Sequence, residues 1–243
     1  MLESINFTNR HGERLDVSFH HGDKNDRLVI LGHGVTGDKD RPLLVAVAEG
    51  LAAAGWSCLR MSFAGNGHSE GDFRAATISK ESEELQDLIA QIPGNQRIAY
   101  IGHSMGGAVG VKTAAANARI EVVISLAGMM RSASFCKREF GMIIPDQGFM
   151  WDEPACPLSQ AYVDDLYQIG DLFSDVARLH QPLLLIHGTA DDVVFPEDSI
   201  DAHEAANTPK RLTLIDGAGH SFDEATYPQV IAAAATWLDE HLS

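Results

Sequence analysis

Along most of this 243-residue chain, short apolar runs alternate with longer stretches in which apolar positions recur every three or four residues. The run LVILG at 28–32 is continuously apolar, as expected of a strand covered on both faces. Similar runs predict strands at 56–63, 97–102, 121–127, 182–187 and 211–215. Helical spacing covers 42–54, ending at Gly55, and 79–92, ending at Pro93-Gly94, then 105–117, 197–206 and 228–241. At the start, 4–8 and 14–19 alternate with period two around Asn-Arg-His-Gly and predict an antiparallel hairpin. Strands interleaved with helices imply βαβ units, hence an α/β class with a mostly parallel central sheet flanked by helices.

The alternation stops at Gly128 and resumes near residue 180, across a segment rich in aromatic, methionine and proline residues. Fifty residues are too many for a structureless connection. The expectation is one domain over 1–243 carrying an inserted cap at about 129–179. There is no internal repeat, and the alanine run 232–235 follows from helix propensity.

Composition narrows the function. A net charge of −16 repels phosphate backbones and anionic lipid surfaces, which argues against nucleic-acid and membrane partners. Cys58, Cys136 and Cys156 are odd in number and form no C-x-x-C pair, so free thiols in a reducing compartment are expected. The acidic, polar start MLESINFTNRHGERLDV lacks the signature of a secretory signal, which makes a cytoplasmic location the default.

Gly102-His103-Ser104-Met105-Gly106 matches G-x-S-x-G, with a predicted strand before it and a predicted helix after it. A hydroxyl on so sharp a turn needs glycines around it, because a Cβ there would meet neighbouring backbone. The turn lifts Ser104 above the sheet, beside a helix N-terminus that favours negative charge. The pentapeptide alone fits a glycine-rich bend equally well. Serine also needs a base to take its proton and a third group to orient that base. Acidic residues follow the strand PLLLIH, in GTADDVVFP at 188–196, and His220 follows the strand RLTLI, in DGAGHSF at 216–222. The order Ser104, Asp191, His220 suits a hydrolase built on a nucleophile elbow, with Asp192 as the rival acid.

Five stretches in order resemble the motifs of the α/β-hydrolase superfamily: HGVTGD at 33–38, RMSFAGNGHSEG at 60–71, GHSMGG at 102–107, HGTADDVVFP at 187–196 and GAGHSF at 217–222. The chain is most similar to small bacterial carboxylesterases of the cinnamoyl or feruloyl esterase type. The resemblance implies an α/β-hydrolase fold with a small inserted cap after the strand that follows the nucleophile helix. It implies Ser104 as nucleophile and His220 as general base and acid. Asp191 becomes the orienting carboxylate, since H-G-x-x-D falls on His187 to Asp191. Met105 and Val35 would supply backbone N–H groups to an oxyanion hole. His33 and His103 would brace loops. No metal or cofactor is expected: His187, Asp191, Asp192 and His220 lack metal-site spacing, and GNGHSEG lacks the Lys-Ser/Thr of a phosphate loop.

Hydrolysis of carboxylic esters through an acyl-enzyme is the leading expectation, on short-acyl or hydroxycinnamoyl esters. Aminopeptidase-like, thioesterase and lipase activities would use the same triad, whereas dehalogenases and epoxide hydrolases of the superfamily need aspartate at the elbow. A non-catalytic ligand-binding protein of this fold is the alternative of another class, disfavoured because no triad member is missing. Phe149, Trp151 and Tyr162 are candidates for an aromatic pocket, and Asp146, Gln147 and Tyr162 for hydrogen bonds to a phenol. The expected partner is a small-molecule ester, with a homodimer allowed for.

Overall fold

The computed structural model describes residues 6–242. Seven strands form one sheet: β1 (Val17–His20), β2 (Lys24–Gly32), β3 (Trp56–Met61), β4 (Arg97–His103), β5 (Ile120–Leu126), β6 (Leu183–Gly188) and β7 (Lys210–Ile215). They lie in the order β1-β3-β2-β4-β5-β6-β7. All neighbouring pairs are parallel except β1 with β3.

The apolar runs form strands because both sheet faces are covered. In β2, Val29 and Leu31 pack on one face, with α1 (Pro42–Ala53) and α8 (Tyr227–His241). Leu28 and Ile30 pack on the other, with α2 (Ile78–Gln91) and α3 (Met105–Ala114). The same division separates Ala99 and Ile101 from Ile98 and Tyr100 in β4, and Leu184 and Ile186 from Leu183 and Leu185 in β6. Helix α7 (Glu197–Ala205) joins the second face through Ala202.

Three expectations change at the edges. Residues 4 and 5 of the proposed hairpin lie outside the described residues. Its remaining arms meet in a single bridge between Thr8 and Arg14, and Val17–His20 pairs with β3 instead. The longer ladder on β3 satisfies four residues of backbone, and Phe7 and Leu15 are already buried in the core. Strand β2 begins at Lys24, before its apolar run, with a register shift between Lys24 and Leu28. Helix α3 stops at Ala114, and the Asn117 side chain accepts from the Arg119 amide in the turn that follows.

The segment 129–179 holds α4 (Ser132–Phe140), a 3-10 turn at Met150–Asp152, α5 (Gln160–Ile169) and α6 (Phe173–Arg178). Between α4 and α5 the chain is largely irregular, tied by a bridge between Phe149 and Pro157. Met142, two residues beyond α4, is 98% exposed. Among the described residues no helix is long and apolar enough to cross a membrane.

Candidate active site

The loops after β2, β4, β6 and β7 meet above the sheet at the strands' C-terminal ends, where open parallel sheets place their ligands. Ser104 joins β4 to α3 with φ 55° and ψ −121°, a conformation that costs a non-glycine residue about 1–3 kcal/mol. Backbone bonds hold it there. Its N–H donates to the Leu126 carbonyl at 2.9 Å, and its carbonyl accepts from Gly107 and Met129 at 2.9 and 3.1 Å. The glycines are steric requirements. A Cβ on Gly102 would lie 2.1 Å from the Gly106 carbonyl oxygen, and one on Gly106 would lie 2.5 Å from that of His33. A Cβ on Gly34 would lie 2.7 Å from the Ser104 Cβ, so the loop after β2 rests directly against the serine.

His220 Nε2 is 3.0 Å from Ser104 Oγ, and His220 Nδ1 is 2.8 Å from Asp191 Oδ2. The same carboxylate oxygen lies 3.1 Å from His187 Nε2, while Oδ1 accepts the backbone N–H groups of Val193 and Val194, each at 2.9 Å. Burial pushes the Asp191 pKa up, but the hydrogen bonds from His187 and His220, the His220 charge and the Val193 amide outweigh it. The group stays well below the usual carboxylate range. Asp191 is buried, whereas its neighbour Asp192 is exposed.

The other histidines are braces. His33 Nε2 accepts from the Phe63 N–H at 3.0 Å, so Nδ1 carries the proton given to the Gly34 carbonyl at 2.8 Å. Burial lowers its pKa to about 4, which keeps this neutral tautomer and pins the Gly34 loop. His103 Nε2 lies 3.0 Å from the His220 carbonyl and ties the loop after β7 to the elbow. Burial, then the charge of His220, lowers the His103 pKa to about 3. Sequence reasoning left His187 without a role. It contacts Ser199 Oγ at 2.7 Å and the Val194 carbonyl at 2.9 Å besides Asp191, so it stitches the acid's loop to α7. The available signal was the first residue of the H-G-x-x-D match.

A cavity of about 540 Å³ opens over Ser104 and His220. Val35 and Trp151 line it, together with Arg41, Leu43, Val193 and Tyr227. Trp151 reaches in from the 3-10 turn with φ 48°, its ring centroid 4.9 Å from that of Phe140 and its Nε1–H donating to Glu139 at 3.0 Å. Four other sequence candidates are placed elsewhere and do not line this cavity. Asp146 and Gln147 are exposed, with Asp146 3.8 Å from Arg74, and Phe149 is 40% exposed. Tyr162 is buried among apolar neighbours, its ring packed near Phe140. The first three lie on exposed chain between α4 and α5, and Tyr162 faces the core from α5. Arg41 and Tyr227 went unnoticed because they flank helix starts distant in sequence from the elbow. Met105 is buried beneath the serine, its N–H at the first position of α3, where helix geometry supplies no acceptor.

The model of the alpha/beta hydrolase family matches residues 28–234, a span containing Ser104, Asp191 and His220. An uncharacterized protein of Mycobacterium tuberculosis is 28% identical over 198 residues, covering 81% of this chain and 63% of that protein. The chain thus spans less than two thirds of that relative's length. The mitochondrial palmitoyl-protein thioesterase ABHD10 of Pongo abelii is 26% identical over 217 residues, covering 82% of this chain and 68% of its own. Among solved structures, Est1E of Butyrivibrio proteoclasticus with bound ferulic acid is similar in fold, with a TM-score of 0.87 and 24% identity over 98% of this chain and 99% of that one.

Proposed function

This chain belongs to the alpha/beta hydrolase family, and on that premise we propose that it hydrolyses carboxylic esters through an acyl-Ser104 intermediate. The observation that carries the reading is the hydrogen-bonded line from Ser104 through His220 to Asp191. Ser104 Oγ attacks the ester carbonyl while His220 Nε2 takes its proton. The imidazolium is held by Asp191 and returns the proton to the departing alcohol. Water then attacks the acyl carbon, His220 again removing and returning a proton, and the carboxylic acid leaves. The Met105 and Val35 N–H groups would face the oxygen that becomes negative in each tetrahedral intermediate. Neither donates to an acceptor among the described residues.

Trp151, Val193, Leu43 and Tyr227 offer an apolar, partly aromatic wall, which supports an acyl group such as hydroxycinnamoyl. Ferulic acid in the similarly folded Est1E supports the same reading. Thioester hydrolysis is the second reading, favoured by the similarity to a palmitoyl-protein thioesterase. A panel of p-nitrophenyl acyl esters, methyl ferulate, an acyl thioester and an aminoacyl amide, compared by kcat/KM, tests both. Turnover of esters that is lost in Ser104→Ala supports the proposal. No turnover of any ester, thioester or amide overturns it in favour of a binding-only role.

A further inference from the structure

Among the described residues, Arg41 is the one Lys or Arg side chain that lines the cavity holding Ser104 and His220. Most basic side chains of this acidic chain are paired with carboxylates, among them Arg10, Arg60, Lys80, Arg131 and Arg211. Arg41 has no carboxylate partner among the described residues. Its neighbour Asp40 is turned away, with one oxygen 2.8 Å from Arg60 and the other 2.8 Å from Lys39. The Arg41 guanidinium donates from Nη2 to the Thr36 carbonyl, at 2.7 Å. That carbonyl belongs to a residue with φ 58°, in the loop that carries Val35 past the serine. The guanidinium is therefore held in place by the site's own loop while most of its N–H groups remain unused.

Charge adds to this placement. Arg41 stands immediately before α1, whose first turn contains no acidic residue, so the positive end of that helix reinforces the arginine. The rest of the lining is largely apolar, including Pro42, Leu43, Val193 and Trp151. A cation beside an apolar wall and a nucleophile suits a substrate with an apolar body, an ester bond and one negative charge. A single guanidinium matches a carboxylate, which it meets with two parallel N–H bonds, better than a doubly charged phosphate.

We propose that Arg41 is a specificity residue that selects esters bearing a free carboxylate, binding that group at the mouth of the Ser104 cavity. The inference rests on the ester-hydrolase reading for its chemistry, and its test separates the two. Two matched pairs place the charge on either half of the ester: p-nitrophenyl hydrogen glutarate against p-nitrophenyl valerate, and 4-carboxyphenyl butyrate against 4-carbamoylphenyl butyrate. Binding of all four to the Ser104→Ala protein is followed by tryptophan fluorescence, and turnover of all four by the unaltered protein is measured in parallel.

The expected result is about tenfold tighter binding of the anionic member of one pair, as befits a charge-assisted bond at an exposed site. The pair that responds shows which half carries the carboxylate. Arg41→Gln in the Ser104→Ala background should bring that ratio to about one, Arg41→Lys should keep part of it, and added salt should shrink it. The readout is a ratio, so any general effect of the substitution on the loop cancels. Equal binding within both pairs, or a preference that survives Arg41→Gln, overturns the inference. Arg41-dependent binding without turnover overturns the hydrolase reading and leaves the carboxylate site standing. Turnover without Arg41 dependence does the reverse.

Discussion

The loops around Ser104 and the segment 129–179 both contribute to one cavity, yet they are built in opposite ways. Around Ser104 nearly every polar group is tied down: both Asp191 oxygens are engaged twice, His33 and His103 clamp adjoining loops, and glycines allow backbone to touch backbone. Across 141–159 the chain is irregular, Met142 and Ile144 are exposed, and Asp146, Trp151 and Asp152 all have positive φ. A pre-ordered constellation suits chemistry, because donors that need not rearrange lower the barrier most. A wall outside the sheet suits variation, because its side chains can change without disturbing that constellation.

That contrast can be broken or sharpened by substitution. Ser104→Ala should lower kcat/KM on the best ester by about 10⁴-fold or more while leaving the melting temperature within a few degrees, measured by steady-state kinetics and calorimetry. Gly102→Ala should act on the fold instead. A Cβ 2.1 Å from the Gly106 carbonyl forces the elbow apart, with an expected loss of about 3 kcal/mol, seen as a fall of roughly 6–12 °C in melting temperature. A stable, active Gly102→Ala protein would show the elbow to be looser than its contacts suggest.

His187→Ala leaves Asp191 and Ser199 each short of a buried partner. We expect about 1–3 kcal/mol of destabilisation and a drop in kcat of about tenfold with little change in KM. Trp151→Ala tests the other region: kcat/KM for aromatic acyl esters should fall about tenfold relative to acetate, with stability nearly unchanged. An equal loss on both esters would mean that the segment supports the chemistry and not the choice of substrate.

A pH-dependent effect is expected outside both regions, at Glu81 on α2. Both its carboxyl oxygens, like the Tyr162 hydroxyl of α5, lack a hydrogen-bond partner among the described residues. Burial, reinforced by the Glu84 charge, pushes its pKa well above the usual glutamate range. A pKa raised on folding gives stability that is whole below the unfolded-state value and is lost as pH rises toward the folded-state value. Glu81→Gln should remove that loss. It should match the unaltered protein near pH 4 and exceed it increasingly toward pH 8, read as a difference in melting temperature that grows with pH. A constant difference across that range would assign the effect to packing.

Much of this molecule was legible beforehand. The strand positions in β2, β4, β5 and β6 follow from continuous apolar runs, and Ser104, Asp191 and His220 each sit in a short motif directly after a strand. Asp146, Gln147 and Phe149 were named for their chemistry, but irregular chain has no periodicity from which to infer direction, and Tyr162, on α5, is buried in the core. Arg41 and Tyr227 escaped notice, and His187 was left without a role, because each stands beside the site only through tertiary contacts.

From its sequence alone, the protein's α/β order, the sharp turn at Ser104 and the candidates Ser104, Asp191 and His220 were legible, because each is marked by residues within a few positions of one another. The tertiary structure decided that His220 stands 3.0 Å from Ser104, 116 residues away in the chain, and 2.8 Å from Asp191, 29 residues away, and that Trp151 and Arg41 line the cavity above them. Those outcomes depend on how the sheet brings its strand ends together, and no local pattern encodes a distance between loops.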